Sequence, residues 1–285
     1  MFQVRVMSVE EYGFAVDLAN GMNWSMSFED FRFSQFLEPD GCFVLFDDSV
    51  PVGVATCVSF GRVGWFGNFV VKPECRGRGG GRFLLRHVVD YLLGRGVETV
   101  GLYAYLHLRD FYGEFGFKAD LGLSVMYNDH VQVDGLVCSD LVLESCVDFA
   151  GLSCFDSEFF GGDRSRLLRG VFSGRGNFCY VFREGQVVVG YVLVKVPIDS
   201  EVGVVEVGPL VCCCDRLDVV LELLKAVLLR LSGRRVFLYL FEGQGVVEEF
   251  LLGLGFRKEF SLLRMFLGDS KIQKGMCLAE SLERG

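Results

Sequence analysis

The densest run of positions able to do chemistry is Arg76-Gly77-Arg78-Gly79-Gly80-Gly81-Arg82, three arginines interleaved with four glycines. Glycine lets a backbone pass close to a ligand, and the unpaired N–H groups of a helix start attract anions. A phosphate or pyrophosphate is the ligand chemistry this run predicts. A P-loop would need a Lys followed by Ser or Thr to close it, and none follows; a dinucleotide fingerprint counted from Gly77 and Gly79 would need glycine where Arg82 stands. Further along, Phe111-Tyr112-Gly113-Glu114-Phe115-Gly116-Phe117 sets a tyrosine ahead of Gly-Phe. A phenol is uncharged at pH 7, which suits a proton donor.

The elements that must position these groups follow from periodicity. Cys42 to Phe46 and Val52 to Phe60 read as strands joined by a hairpin-like connection at Asp47-Asp48-Ser49-Val50-Pro51, and Trp65 to Val71 as a third strand ending at Lys72-Pro73. Leu84, Leu85, Val88, Val89 and Leu92 recur at three- and four-residue spacing, which predicts a helix stopped by Gly94 and Gly96. A strand from Thr99 to Tyr103, a short helix within Leu106 to Phe115 closed by Gly116, and a strand from Leu121 to Met126 complete the first half. The second half repeats the grammar. Strands at Tyr180 to Phe182, Val187 to Val196 and Val204 to Val211 lead to a helix capped by Asp215, its face Leu217, Val220, Leu221, Leu224, Leu228 and Leu231, with Gly233 as the stop; a strand at Val236 to Phe241 follows. Leu254-Gly255-Phe256 echoes Phe115-Gly116-Phe117. The expected fold is α/β with a mixed sheet, in two copies.

With these residues in place, the chain resembles the GNAT superfamily of acetyl-CoA-dependent N-acetyltransferases. Arg76-Gly77-Arg78-Gly79-Gly80-Gly81 fits the family pattern Q/R-x-x-G-x-G/A, and Tyr112 with Gly116-Phe117 fits its second motif. Asn23-Trp24, the run from Phe160 to Leu168, Val207-Gly208-Pro209-Leu210 and Arg264-Met265-Phe266 are similar to a subgroup of tandem GNAT proteins with a divergent second module. The resemblance implies an N-terminal acetyltransferase domain at 1–130 and a divergent GNAT-like domain at 137–270. It implies acetyl-CoA as cosubstrate, held by Phe69, Val70 and Val71 and by Arg76, Gly77, Arg78, Gly79, Gly80, Gly81 and Arg82, with Tyr112 as the acid. Asn23, Trp24 and Asn68 would serve the acceptor, a small-molecule or peptide amine.

Several points stay open in the sequence. The strand Gly64 to Val71 has no acid to deprotonate the amine, so Asn68 could hold a water, or Asp17, Glu29 or Asp30 could act from the acceptor side. The segment Val211-Cys212-Cys213-Cys214-Asp215-Arg216 lacks glycine, which sets the second module apart from a CoA site. A non-catalytic acyl-CoA sensor or scaffold is the alternative reading.

A chain of 285 residues is long enough for two domains, and its net charge of −9 argues against a nucleic-acid partner. The longest uncharged stretch, Ser49 to Gly61, is well short of the ~18 apolar residues that span a membrane. No membrane segment and no export signal is expected, and the address is cytoplasmic. The 11 cysteines then read as buried thiols. Cys212-Cys213-Cys214 lacks the two- to four-residue gaps of a metal site, and His87, His107 and His130 fall in no zinc spacing, so no metal is expected. A negative net charge favours a cationic acceptor, and the sequence is silent on oligomeric state.

Overall fold

Alternating and helical periodicities settle here into a mixed sheet flanked by eight helices, in a computed structural model that describes residues 1–138, 143–144, 148–197, 203–213, 216–272 and 274–285. The chain divides into two compact units. Unit 1 comprises Met1–Tyr103, Phe266–Asp269 and Leu282–Gly285; unit 2 comprises Ala104–Met265 and Ser270–Ser281.

Unit 1 contains β1 (Phe2–Val6), α1 (Tyr12–Asn20), α2 (Phe28–Leu37), β2 (Cys42–Asp47), β3 (Val50–Phe60), β4 (Val63–Val71), α3 (Gly80–Gly94) and β5 (Thr99–Tyr105), whose last two residues pass into unit 2. The strands lie in chain order, β1 to β4 antiparallel and β5 parallel to β4. The hairpin between β2 and β3 is tighter than the sequence suggested: pairing runs to Asp47↔Val50, so Asp48 and Ser49 alone turn the chain, with Asp48 at φ 55°. Short polar side chains tolerate that left-handed conformation. The helix α3 buries Leu84, Leu85, Val88 and Leu92, as its spacing required, and Gly96 ends it at φ 82°. On the opposite face Met7, which follows β1, joins Ala15 and Ala19 of α1 and Phe31 of α2 in covering Cys42, Val44, Val54 and Val70.

Unit 2 contains α4 (Arg109–Gly113), β6 (Lys118–Asn128), β7 (Leu143–Glu144), α5 (Phe149–Phe160), α6 (Ser165–Phe172), β8 (Phe178–Glu184), β9 (Val187–Lys195), β10 (Val205–Cys212), α7 (Leu217–Arg230), β11 (Val236–Phe241), α8 (Gly245–Gly253), β12 (Arg257–Leu267, its last two residues in unit 1) and β13 (Met276–Leu278). From β1 to β6 and again from β7 to β12 the same order recurs: strand, two helices, three strands, helix, strand, helix, strand. The two-copy reading of the sequence is what the chain adopts.

The helix α7 departs from its expected face. Val219, Leu223 and Val227 are buried along with Val220, Leu224 and Leu228, while Leu217 is exposed and Leu221 half-buried. This helix is apolar around most of its circumference, so spacing alone did not fix its phase. The Asp215 cap lies outside the described residues. Of the cysteines, Cys42, Cys57, Cys179, Cys212 and Cys277 are buried, Cys75, Cys138 and Cys213 are half-buried and Cys154 is exposed, so the uniform burial expected of them does not hold. Among the described residues no helix is long and apolar enough to cross a membrane.

Candidate active site

The glycine-rich loop is built from the sheet outward. A 3-10 turn at Pro73–Cys75 leaves β4, and Arg76 folds back so that its Nε donates to the Val71 carbonyl at 2.9 Å. Arg78 pairs with Asp47 at 2.7 Å. These two arginines therefore brace the loop against β4 and β2, while Arg82 is exposed in the first turn of α3.

The glycines do three separate things. Gly77 and Gly79 take φ 75° and 89°, where a side chain is strained, and a β-carbon at either would point into open space. Gly80 instead packs: a β-carbon there would lie 3.1 Å from Leu45 and from Phe2, so glycine lets the helix start close on the sheet. Gly79 is the N-cap of α3, no side chain caps the helix, and no acidic residue stands in its first turn. The first-turn N–H groups thus have no intrahelical acceptor and themselves form the positive end of the helix dipole. An anion fits this cradle.

Next to it, β4 and β5 pair over three residues only, Val63↔Thr99, Gly64↔Val100 and Trp65↔Gly101. Beyond Trp65 the ladder stops, leaving the edge of Phe69, Val70 and Val71 without β5 as a partner. The register of β4 against β3 slips between Val54 and Thr56, a bulge that holds Asn68 at φ 50°. Asn68 is buried and its Nδ2 donates to the Thr56 hydroxyl at 3.1 Å. That bond uses one of the two N–H groups of the amide.

On the acceptor side Asn23 is exposed at φ 61°, and Trp24 packs half-buried on the cluster formed by α1, α2 and β4. Of the three carboxylates considered there, two are engaged by neighbours and one is exposed. Asp30 accepts from the Ser27 amide and hydroxyl in a capping box, Glu29 pairs with Arg32 at 2.8 Å, and Asp17 is exposed on α1. In unit 2, Tyr112 sits on α4 with its ring edge-on to Phe111 at 5.1 Å and to Phe117 at 6.1 Å. Burial raises its phenol pKa well above the usual value, so the hydroxyl keeps its proton.

The second copy of this geometry is closed. β10 and β11 also pair in parallel over three residues, and β10 also slips register, between Val207 and Leu210. Where the two strands would separate, β13 enters and pairs with both, Leu278 opposite Leu210 of β10 and Leu240 of β11.

Sequence reasoning missed one group of residues. Leu282–Gly285 belongs to unit 1, and Glu283 lies against Gly67 of β4. The only local signal was a glycine inside a strand, which marks close approach of another backbone without saying whose.

Residues 12–117 match the family model for the Acetyltransferase (GNAT) family, and residues 153–277 match that for an Acetyltransferase (GNAT) domain. The chain is 25% identical over 216 residues to a holothin acyltransferase of Pseudoalteromonas sp. (strain SANK 73390), covering 74% of this chain and 70% of that protein. It is 34% identical over 84 residues to serotonin N-acetyltransferase 2, chloroplastic, of Oryza sativa subsp. japonica; this match spans 27% of the chain and 42% of the rice protein, less than half its length. Two solved structures share the fold. A Pyrococcus horikoshii protein provisionally assigned as an acetyltransferase superposes with a TM-score of 0.81 at 21% identity, over 100% of this chain and 96% of that one. A tandem GNAT protein from the clavulanic acid biosynthesis pathway gives a TM-score of 0.67 at 17% identity, over 95% and 100%.

Proposed function

Because the chain belongs to the GNAT family of acyltransferases and carries two GNAT modules in tandem, we propose that its first module uses acetyl-CoA to acetylate a primary amine. The observation that carries this reading is the pairing of an open anion cradle at Gly77–Arg82 with a strand edge released at Trp65. We assign residues 1–130 to this module and 137–270 to the divergent one.

Acetyl-CoA would supply the acyl group as an activated thioester. The amides of the loop and of the first turn of α3 bind its pyrophosphate, and the arginines at 76 and 78 hold that loop in shape. The freed backbone of Phe69, Val70 and Val71 stabilises negative charge as it develops on the acyl oxygen. Tyr112, which holds the family's position for the acid, gives up a proton to the leaving sulfur. Asn23 and Trp24 border the acceptor, and Asn68 holds the bulge that releases the edge. The described cysteines are free thiols, which suits a reducing compartment, so we place the protein in the cytoplasm.

A paired substitution at one position tests the cofactor. Gly79→Ala and Gly79→Glu carry the same left-handed strain at φ 89°, but only the glutamate adds bulk and negative charge. Acetyl-CoA at 100 times its dissociation constant should stabilise the unmutated chain by about 2.7 kcal/mol. Thermal unfolding should show that gain in the alanine variant and lose it in the glutamate variant. No gain in the unmutated, folded chain would end the acetyl-CoA reading.

A further inference from the structure

The slipped register that frees the edge of β4 is built a second time in β10, and only the first copy carries polar side chains. In unit 1, Thr56 pairs with Gly67 and Val54 with Val70, so Ala55 alone stands opposite Asn68 and Phe69. In unit 2, Val194 pairs with Val207 and Val192 with Leu210, so Leu193 alone stands opposite Gly208 and Pro209. Both are bulges of two residues against one. Position by position, Val194 stands where Thr56 does, Gly208 where Asn68 does and Pro209 where Phe69 does. A hydroxyl and an amide are therefore not needed to make the slip.

What the polar pair adds is direction. Asn68 takes φ 50°, a left-handed conformation that is strained for a residue with a side chain and persists where its surroundings impose it. The Asn68 Nδ2 donates to the Thr56 hydroxyl at 3.1 Å, that hydroxyl makes a longer contact of 3.4 Å with the Gly67 carbonyl, and both side chains are buried. The chain runs from Asn68 straight into Phe69, Val70 and Val71, so the dihedrals held at 68 set where the amides of that edge point. In unit 2 valine and glycine offer no such tether, and Pro209 has no N–H to present.

We propose that Thr56 and Asn68 are positioning residues for the acyl transfer: the Thr56 hydroxyl holds the Asn68 side chain, and this tether aims the amides of the β4 edge at the thioester oxygen. The proposal rests on the acetyl-CoA reading and goes beyond it by giving the buried pair a task and by naming what the second copy lacks. Neither side chain acts on the reacting atoms itself. Donors that stabilise a developing charge work only where they are already aimed, so a buried bond behind them counts toward the reaction.

The test needs no acceptor amine. The infrared stretch of the thioester carbonyl, isolated by carbon-13 labelling of acetyl-CoA at that atom, falls in frequency when hydrogen bonds polarise the bond. Acetyl-CoA on the unmutated chain should show the band below its position in water. Thr56→Val, which gives β3 the residue of the second copy, should return the band most of the way, and Asn68→Gly, which relieves the strain but removes the tether, should do the same. Thr56→Ser keeps the hydroxyl and should keep the displacement. Acetyl-CoA should still stabilise every variant against heat, because the cradle at Gly77–Arg82 is untouched, and this separates the proposal from the cofactor reading. A band displaced in Thr56→Val or Asn68→Gly as far as in the unmutated protein would overturn the proposal. So would a loss in Thr56→Ser equal to that in Thr56→Val, which would trace the effect to packing, or an undisplaced band on an unmutated chain that acetyl-CoA does stabilise. A chain that acetyl-CoA does not stabilise would overturn both readings.

Discussion

Tyr112 shows what burial contributes to a titratable group. A phenol surrounded by Phe111 and Phe117 cannot lose its proton cheaply, because the phenolate would have to be desolvated. The acid role asks for just this: a proton retained until a stronger base appears beside it. Tyr112→Phe removes the hydroxyl and keeps the ring packing. It should lower kcat by about 10²- to 10⁴-fold while the acetyl-CoA affinity, read by thermal shift, stays the same. A raised pKa also means that the free phenol remains protonated to pH 10 and beyond, so an alkaline loss of kcat/KM below pH 10 in the unmutated enzyme would belong to another group. The arginines carry a different lesson. Their sequence marks them as phosphate ligands, yet Arg76 and Arg78 spend contacts on Val71 and Asp47, while Arg82 stands exposed in the first turn of α3.

Among the elements, α5 and α6 are fastened to β9 by charge. Arg164 makes a two-pronged contact with Asp156 at 2.7 and 3.0 Å, Tyr191 of β9 donates to the same carboxylate, and the Phe160 ring faces the guanidinium at 4.1 Å. Both side chains of the ion pair are fully buried. Removing one charge strands the other, so Asp156→Ala should destabilise the protein by about 3–5 kcal/mol, seen as a lower urea midpoint; Asp156→Leu with Arg164→Met should recover most of that loss. No local pattern announced this pair, since its meaning depends on burial. Elements with strong periodicity were readable: α3 came from its apolar spacing, β3 and β4 from β-branched runs, and the stop at Gly96 from chemistry confined to one residue. The phase of α7 was not, because leucine and valine surround it. Nor was β13, three residues whose strand character comes wholly from the two strands that receive them.

For the whole molecule, the duplicated fold has one open site and one closed one. Both copies share a three-residue parallel pairing followed by a slipped register, and β13 occupies the second gap. Acetyl-CoA should therefore saturate the chain at one equivalent, and a calorimetric titration reaching two would contradict the assignment of β13 as the closing strand. The other site was partly legible from the start: the loop and Tyr112 stand in contiguous motifs, whereas Glu283 meets Gly67 only after the chain has returned from far along its length. That return bears on synthesis. In unit 1 the Trp65 ring packs against Phe266 at 5.8 Å, Thr99 donates to the Asp269 carbonyl at 2.5 Å, and Glu283 covers Gly67. A ribosome adding about 5–20 residues per second needs roughly 10 to 30 s to pass from Tyr103 to Phe266. Through that interval the first five strands are already made, and one face of β4 still waits for its cover, so the nascent chain depends on whatever shields that face in the meantime.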